Sequence, residues 1–375
     1  MIISLNDIRS KLPKLPFTII LLIIFISCLG FVLMYSAAKG NIHPWAFKQI
    51  LHFTIFFPLM IFISITDIKF WYKSSYLFYY LVLLLLVLVH SLGYTAMGAT
   101  RWINLSIIKI QPSELMKIAI ILALARYFHD CGKEKLTFFN IVISGVMLML
   151  PAALIIKQPD LGTGLILLLL GIIIFFIAGI NRWYFIIGFI GVSVALPIAW
   201  RFLYDYQKNR ILTFLNPELD PLGSSYNIIQ SKIAIGSGGF FGKGMTKGSQ
   251  SQLQFLPEHQ TDFIFTMLCE ELGMLGGGVL LLIYSILIFY SYLIAARSHS
   301  IYGKLLALGV ASMFFLHVFI NIGMVMGVIP AVGVPLPILS YGGTSMMTIL
   351  IGFGLIMNVH VHNRSNINSN LSNFF

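Results

Sequence analysis

Between residues 17 and 358 the chain turns apolar about ten times, each time for long enough to cross a bilayer. A helix rising 1.5 Å per residue needs about 20 residues to span roughly 30 Å of hydrocarbon. Hydropathy places the runs at about 17–38, 45–66, 75–92, 113–128, 137–156, 162–180, 183–202, 263–295, 304–328 and 340–358. The sixth and seventh are joined by a tight Ile180-Asn181-Arg182 turn. The expected fold class is an all-α polytopic membrane protein with about ten transmembrane helices. Apolar residues make up 58% of the chain and charged ones only 10%, against about 25% charged in soluble domains.

The net charge of +11 does not imply nucleic acid. The cations flank the spans, as the positive-inside tendency requires, and no exposed basic domain exists to grip a duplex. Across the short loops, about twice as many Lys and Arg fall on the side of the termini as on the other, so both termini are expected to be cytoplasmic. Lys11 and Lys14 precede a run ending in Ser36-Ala37-Ala38 that looks like a signal cleavage site. The run is too long for a signal peptide and a second span follows at once, so an uncleaved first span is expected. Cys28 and Cys269 lie in apolar runs and Cys131 in a short polar loop, which excludes a disulfide framework or a metal cage. The nine histidines show no metal-ligand spacing, and no residue is assigned to a metal.

One long extracytoplasmic loop, about 203–262, joins spans seven and eight. Loops of this length in compact proteins are functional or disordered. Its second half, from Tyr226, has apolar residues at helical spacing and could lie along the membrane surface. The segment Gly236–Gly244 is not a nucleotide loop, because Gly244 follows Lys243 where Ser or Thr is required. It reads as a flexible loop facing substrate. No internal repeat of the kind found in many transporters is visible.

Asp262 lies where this loop meets the eighth span. Ionisable groups at membrane depth are costly and mark working sites. A general base there could take a proton from a sugar hydroxyl; the plainer reading is a helix N-cap. Glu270 and Glu271 follow on other faces of the helix and read as a structural pair bonding neighbouring helices. In the fourth span, Glu114 and Lys117 share one face at i,i+3, as a self-neutralising pair or as groups facing a cavity. Arg101, Trp102 and Lys109 form a cationic outer loop that anchors the interface or grips a pyrophosphate. Asp160 is a helix cap or a ligand contact. The Gly- and Pro-rich stretch Asn321–Met347 is expected to be re-entrant and to wall the site, since irregular backbone at that depth needs protein or a cavity around it.

Five motifs in order resemble the SEDS family (shape, elongation, division and sporulation), and most closely its RodA branch. They are Gly98-Ala-x-Arg-Trp-Ile, Gln111-Pro-Ser-Glu-x-x-Lys117, Gln158-Pro-Asp-Leu-Gly-Thr, Phe255-Leu-Pro-Glu-x-x-Thr-Asp-Phe-Ile-Phe and Val334-Pro-Leu-Pro-x-x-Ser-Tyr-Gly-Gly. The resemblance implies a single SEDS-type transmembrane domain over residues 1–375. It also implies a peptidoglycan glycosyltransferase that polymerises lipid II into β-1,4 glycan strands on the outer face of the bacterial inner membrane during elongation. Asp262 takes the position of the family's essential acid. Arg101, Trp102, Lys109, Gln111, Glu114, Lys117, Asp160 and Glu258 fall on its substrate-binding motifs. The implied partners are lipid II, undecaprenyl pyrophosphate, membrane lipid and a class B penicillin-binding protein that supplies transpeptidation. No cofactor is fixed, although a divalent cation (Mg2+ or Mn2+) near Asp262 is a candidate. Relatives commonly carry His directly before Thr-Asp-Phe; here that place is Gln260, with His259 one residue earlier. The competing readings are a lipid II flippase gated by Glu114 and Lys117, and a passive scaffold in which Asp262 would be dispensable.

Overall fold

The computed structural model describes residues 9–92, 94–96, 99–104, 109–132, 136–202, 208, 212, 214, 216, 226–252, 259–365 and 367. Its long helices are α1 (Phe17–Ala37), α2 (Trp45–Ile65), α3 (Ile68–Leu92), α4 (Pro112–Cys131), α5 (Phe138–Lys157), α6 (Leu161–Ala178) and α7 (Arg182–Phe202). After the shorter α8 (Tyr226–Gly238) come α9 (Ile264–Arg297), α10 (Ile301–Val325) and α11 (Gly343–Val361). Eight of these are long and apolar enough to cross a membrane. The other two long helices are α4, which carries Glu114, Lys117, Arg126 and Asp130, and α7, whose apolar part is the shorter Arg182–Ala195.

Helix α3 starts before its hydropathy rises, because Asp67 receives the Lys69 N–H at 2.9 Å and nucleates the first turn. The segment between α3 and α4 is not a plain loop. It holds a small antiparallel sheet in the order β1 (Tyr94–Ala96), β2 (Ala99–Asn104), β3 (Lys109–Ile110). Tyr94 pairs with Trp102, and Ile103 with Ile110.

The centre of the bundle is α10 and α11, each with 78% of its apolar stretch buried, against 28–44% for the other spanning helices. In α4, residues Met116 to Ala125 are all buried, the pattern of a helix enclosed on every side. Small residues allow the close approach, as in membrane helix pairs generally. A Cβ on Gly309 would stand 2.7 Å from Ile121, and one on Gly352 2.8 Å from Val310.

Helix α9 is broken at Gly273 (φ 69°, ψ −167°). Such a break strands carbonyls on one side and N–H groups on the other, which is costly away from water. The Gly-rich segment after α8 repairs it. Lys243 and Gly244 N–H groups donate to the Glu270 and Glu271 carbonyls, both at 3.0 Å. Met274 and Leu275 N–H groups donate to Gly239 and Phe240, at 2.9 and 3.1 Å. The expected flexible, substrate-facing loop is therefore a splint. Three glycines at the joint are required, since a Cβ on Gly238 or Gly242 of the splint or on Gly273 of α9 would collide with backbone across it. Helix α8 is likewise packed against the bundle: Ser231 Oγ donates to the Val325 carbonyl (2.8 Å) and meets Thr266 Oγ1 (2.6 Å).

Candidate active site

The turn that carries Asp262 is fixed through its backbone. The Gln260 carbonyl accepts from Tyr341 N–H (2.9 Å), the Thr261 carbonyl from Ser340 Oγ (2.6 Å), and the Asp262 carbonyl from Asn321 Nδ2 (2.8 Å). Ser340 is itself held, because Gln49 Nε2 donates to its carbonyl at 2.9 Å. Asp262 is half-buried. The N-cap position of α9 falls on Phe263, the residue after it.

The stretch between α10 and α11 borders the carboxylate. Gly333 has φ +72°, and a Cβ placed on it would lie 3.5 Å from Asp262 Oδ2. On the neighbouring residues, the Val332 carbonyl would lie 2.8 Å and Val334 Cγ2 3.3 Å from a Cβ on Gly162. Gly162 stands two residues beyond Asp160 in the first turn of α6. The Val332–Val334 segment thus joins the Asp262 turn to the Asp160 turn.

Around Asp160 a polar network ties three elements. Asp160 caps α6 by accepting the Thr163 N–H at 3.3 Å. It also accepts from Gln111 Nε2 (3.0 Å) and Ser113 Oγ (3.4 Å) at the start of α4. Arg101, from β2, donates to the Gln158 carbonyl (3.2 Å) and the Pro159 carbonyl, with its guanidinium 3.8 Å from Asp160 Oδ1. The Arg101 side chain keeps 31% of its surface exposed. Trp102 is half-buried beside it in β2. Lys109 pairs with Asn104 through backbone; its side chain, like the whole of Glu258, lies outside the described residues.

Glu114 and Lys117 form a second cluster, 2.6 Å apart, with the Lys117 side chain 1% exposed. The sequence reading missed the third member. Lys117 Nζ lies 2.7 Å from His317 Nε2, and His317 Nδ1 lies 2.7 Å from the Met313 carbonyl. The backbone acceptor places the ring proton on Nδ1 and leaves Nε2 to accept from the ammonium. An ionisable residue in the middle of the ninth apolar run, well away from Lys304 at its start, was the signal available. Buried in this way, Lys117 offers no surface to a ligand in this conformation.

Glu270 and Glu271, both buried, serve the splint and a neighbouring helix. Glu270 accepts from Lys243 (3.0 Å), Ser249 (3.3 Å) and the Gln250 N–H (2.9 Å). Glu271 accepts from Ser36 Oγ of α1 (2.5 Å) and the Thr246 N–H (3.2 Å). Among the described residues, no three acidic, His or Cys side chains converge to hold a metal ion.

These features define a polytopic helical membrane protein whose half-buried acid is held at one end of the bundle by an irregular inter-helix segment. The chain belongs to the FtsW/RodA/SpoVE cell cycle protein family, which matches residues 14–365. It is 45% identical over 288 residues to the peptidoglycan glycosyltransferase MrdB of Escherichia coli K12, covering 76% of this chain and 77% of that one. Its fold is similar to a chain from a solved peptidoglycan synthase complex that coordinates polymerization and crosslinking (TM-score 0.83, 28% identity, 94% and 99% covered). It is also similar to the Thermus thermophilus rod shape determining protein RodA (TM-score 0.72, 25% identity, 94% and 98% covered). The protein is a multi-pass component of the bacterial inner membrane.

Proposed function

We propose that the chain is a peptidoglycan glycosyltransferase of cell elongation that polymerises lipid II, with Asp262 as its general base. The observation that carries this is the setting of Asp262: a half-buried carboxylate beside Gly333, on a turn clamped through its backbone. Asp262 removes the proton from the 4-hydroxyl of an acceptor N-acetylglucosamine. That oxygen attacks the anomeric carbon of the N-acetylmuramic acid on the growing strand. The bond from that carbon to the pyrophosphate oxygen breaks, and a β-1,4 link forms with inversion. Undecaprenyl pyrophosphate leaves with the electron pair.

The charge that develops on the leaving pyrophosphate calls for fixed cations. Arg101, the partly exposed member of the Asp160 network, and Lys109 in the same small sheet are our candidates, and Trp102 and Glu258 are further candidates for binding substrate. Gln111 and Asp160 orient Arg101, and the buried Glu114–Lys117–His317 cluster stiffens the wall behind. The described side chains supply no three-ligand metal site. A hard cation brought in by the pyrophosphate needs only one or two protein carboxylates, a role Asp262 could fill for Mg2+ or Mn2+.

We further propose a class B penicillin-binding protein as the working partner and one SEDS-type domain over residues 1–375, with both termini cytoplasmic. Support for the partner comes from the likeness to a synthase complex that joins polymerization to crosslinking. The test of the enzyme is purified full-length protein in detergent with lipid II. Glycan polymer without a second compartment is expected, and Asp262→Asn should abolish it while the protein stays folded and inserted. Polymer from that variant would remove the base from the scheme. The flippase reading draws on the buried Glu114–Lys117 pair, and it predicts no polymer in detergent.

A further inference from the structure

Asn321 is fully buried on α10, one helical turn beyond His317. Its amide nitrogen donates both protons to backbone carbonyls, Asp262 at 2.8 Å and Val334 at 2.7 Å. Chemistry sets the orientation: a flipped amide would press its oxygen against two carbonyl oxygens. The Oδ1 atom is buried and has no hydrogen-bond partner, a cost of about 1–3 kcal/mol that packing alone would not retain. A smaller or apolar side chain would fill the space without it.

What the two bonds achieve is geometric. One holds the residue that bears the carboxylate. The other holds the residue after Gly333, which faces that carboxylate from the opposing segment. A single planar amide therefore sets the spacing between the Asp262 turn and the Val332–Val334 segment. Because Asn321 is fully buried, it touches no sugar. We propose that Asn321 is a positioning residue for glycan polymerisation, fixing Asp262 relative to Gly333 so that the carboxylate meets the acceptor hydroxyl in line. This rests on the reading of Asp262 as the base. Displacing a reacting group by about 1 Å can cost roughly 100-fold in rate while leaving binding intact.

The test compares Asn321→Asp, Asn321→Ala and Asn321→Gln with wild type and Asp262→Asn, using the full-length chain and lipid II, with kcat, KM and thermal unfolding measured for each. Asp keeps the shape and removes the paired donor, whereas Gln keeps the donor. The expected result is a fall in kcat of about 100-fold for Asp, KM within about threefold, and partial recovery of kcat in Gln. Should the Asp variant fail to fold, Ala is judged by the same split. A folded Asp or Ala variant with kcat near wild type overturns the inference. So does a loss that follows unfolding temperature across all three variants, or one that falls on KM. Activity in Asp262→Asn would instead overturn the reading beneath it, so the two failures are distinguishable.

Discussion

Lys117 and His317 lie 200 residues apart in sequence, yet the ammonium of one meets the imidazole Nε2 of the other at 2.7 Å. The contact joins α4 to α10 in the most enclosed part of the bundle. It also explains how a lysine can stay in an apolar core: Glu114 balances its charge and His317 accepts a hydrogen bond from its ammonium.

Breaking this cluster from one side should be far worse than dissolving it. Lys117→Met leaves the Glu114 carboxylate buried without its cation, a loss of about 3–5 kcal/mol. The double variant Glu114→Gln/Lys117→Met is expected to recover most of it. Thermal unfolding of the single and double variants in detergent checks this, and additive losses would contradict it.

Gly333→Ala puts a methyl group 3.5 Å from Asp262 Oδ2 at a residue with φ +72°. The left-handed backbone alone costs about 1–2 kcal/mol. Polymer yield is expected to drop more than that stability change explains, because the added methyl faces the carboxylate. Yield and melting temperature measured on the same preparation separate the two effects.

The splint at the α9 break gives a matched pair of glycines. Gly239 (φ +57°) has open space where a Cβ would stand, so Gly239→Ala should cost only the backbone strain of about 1–2 kcal/mol. Gly242 (φ +81°) would drive its Cβ into the Glu271 carbonyl. Gly242→Ala is expected to keep the protein from accumulating in the membrane, while Gly239→Ala accumulates. Immunoblots of membrane fractions read the difference.

Asp160→Ala removes the α6 cap, worth about 1–2 kcal/mol, and leaves Gln111 and Ser113 without their acceptor. Asp160→Asn keeps an oxygen for the Thr163 N–H. The Asn variant is expected to keep most of the melting temperature but lose polymer yield, because its NH2 stands where Oδ2 accepts from Gln111 and Ser113 and it no longer attracts Arg101, and the Ala variant is expected to lose both. An Asn variant with unchanged polymer yield would show that the cap alone matters at this position.

Much of the architecture was legible because a bilayer imposes one length scale. Nine of the ten apolar runs correspond to continuous helices, and the third was merely short at its start, where Lys69 and Lys73 depress hydropathy but not helix formation. The break in the eighth was hidden, since one glycine among Gly276, Gly277 and Gly278 gives no sign of which will leave the helical region. The sheet at 94–110 was missed because its strands are too short for an alternating pattern to stand out. At the site, Asp262 and the Glu114–Lys117 pair could be found as charges out of place. Asn321 could not: an amide near a span end is ordinary, and its two acceptors are main-chain groups that carry no residue-type signal.

The interruption at Gly273 divides the eighth span into two parts that one strap moors together. The stub from Ile264 to Leu272, which follows Asp262 directly, shares two main-chain bonds with that strap, and the longer part shares two more through Met274 and Leu275. A pull on the strap therefore bears on the joint itself and is passed both to the stub beside the acid and to the longer helix.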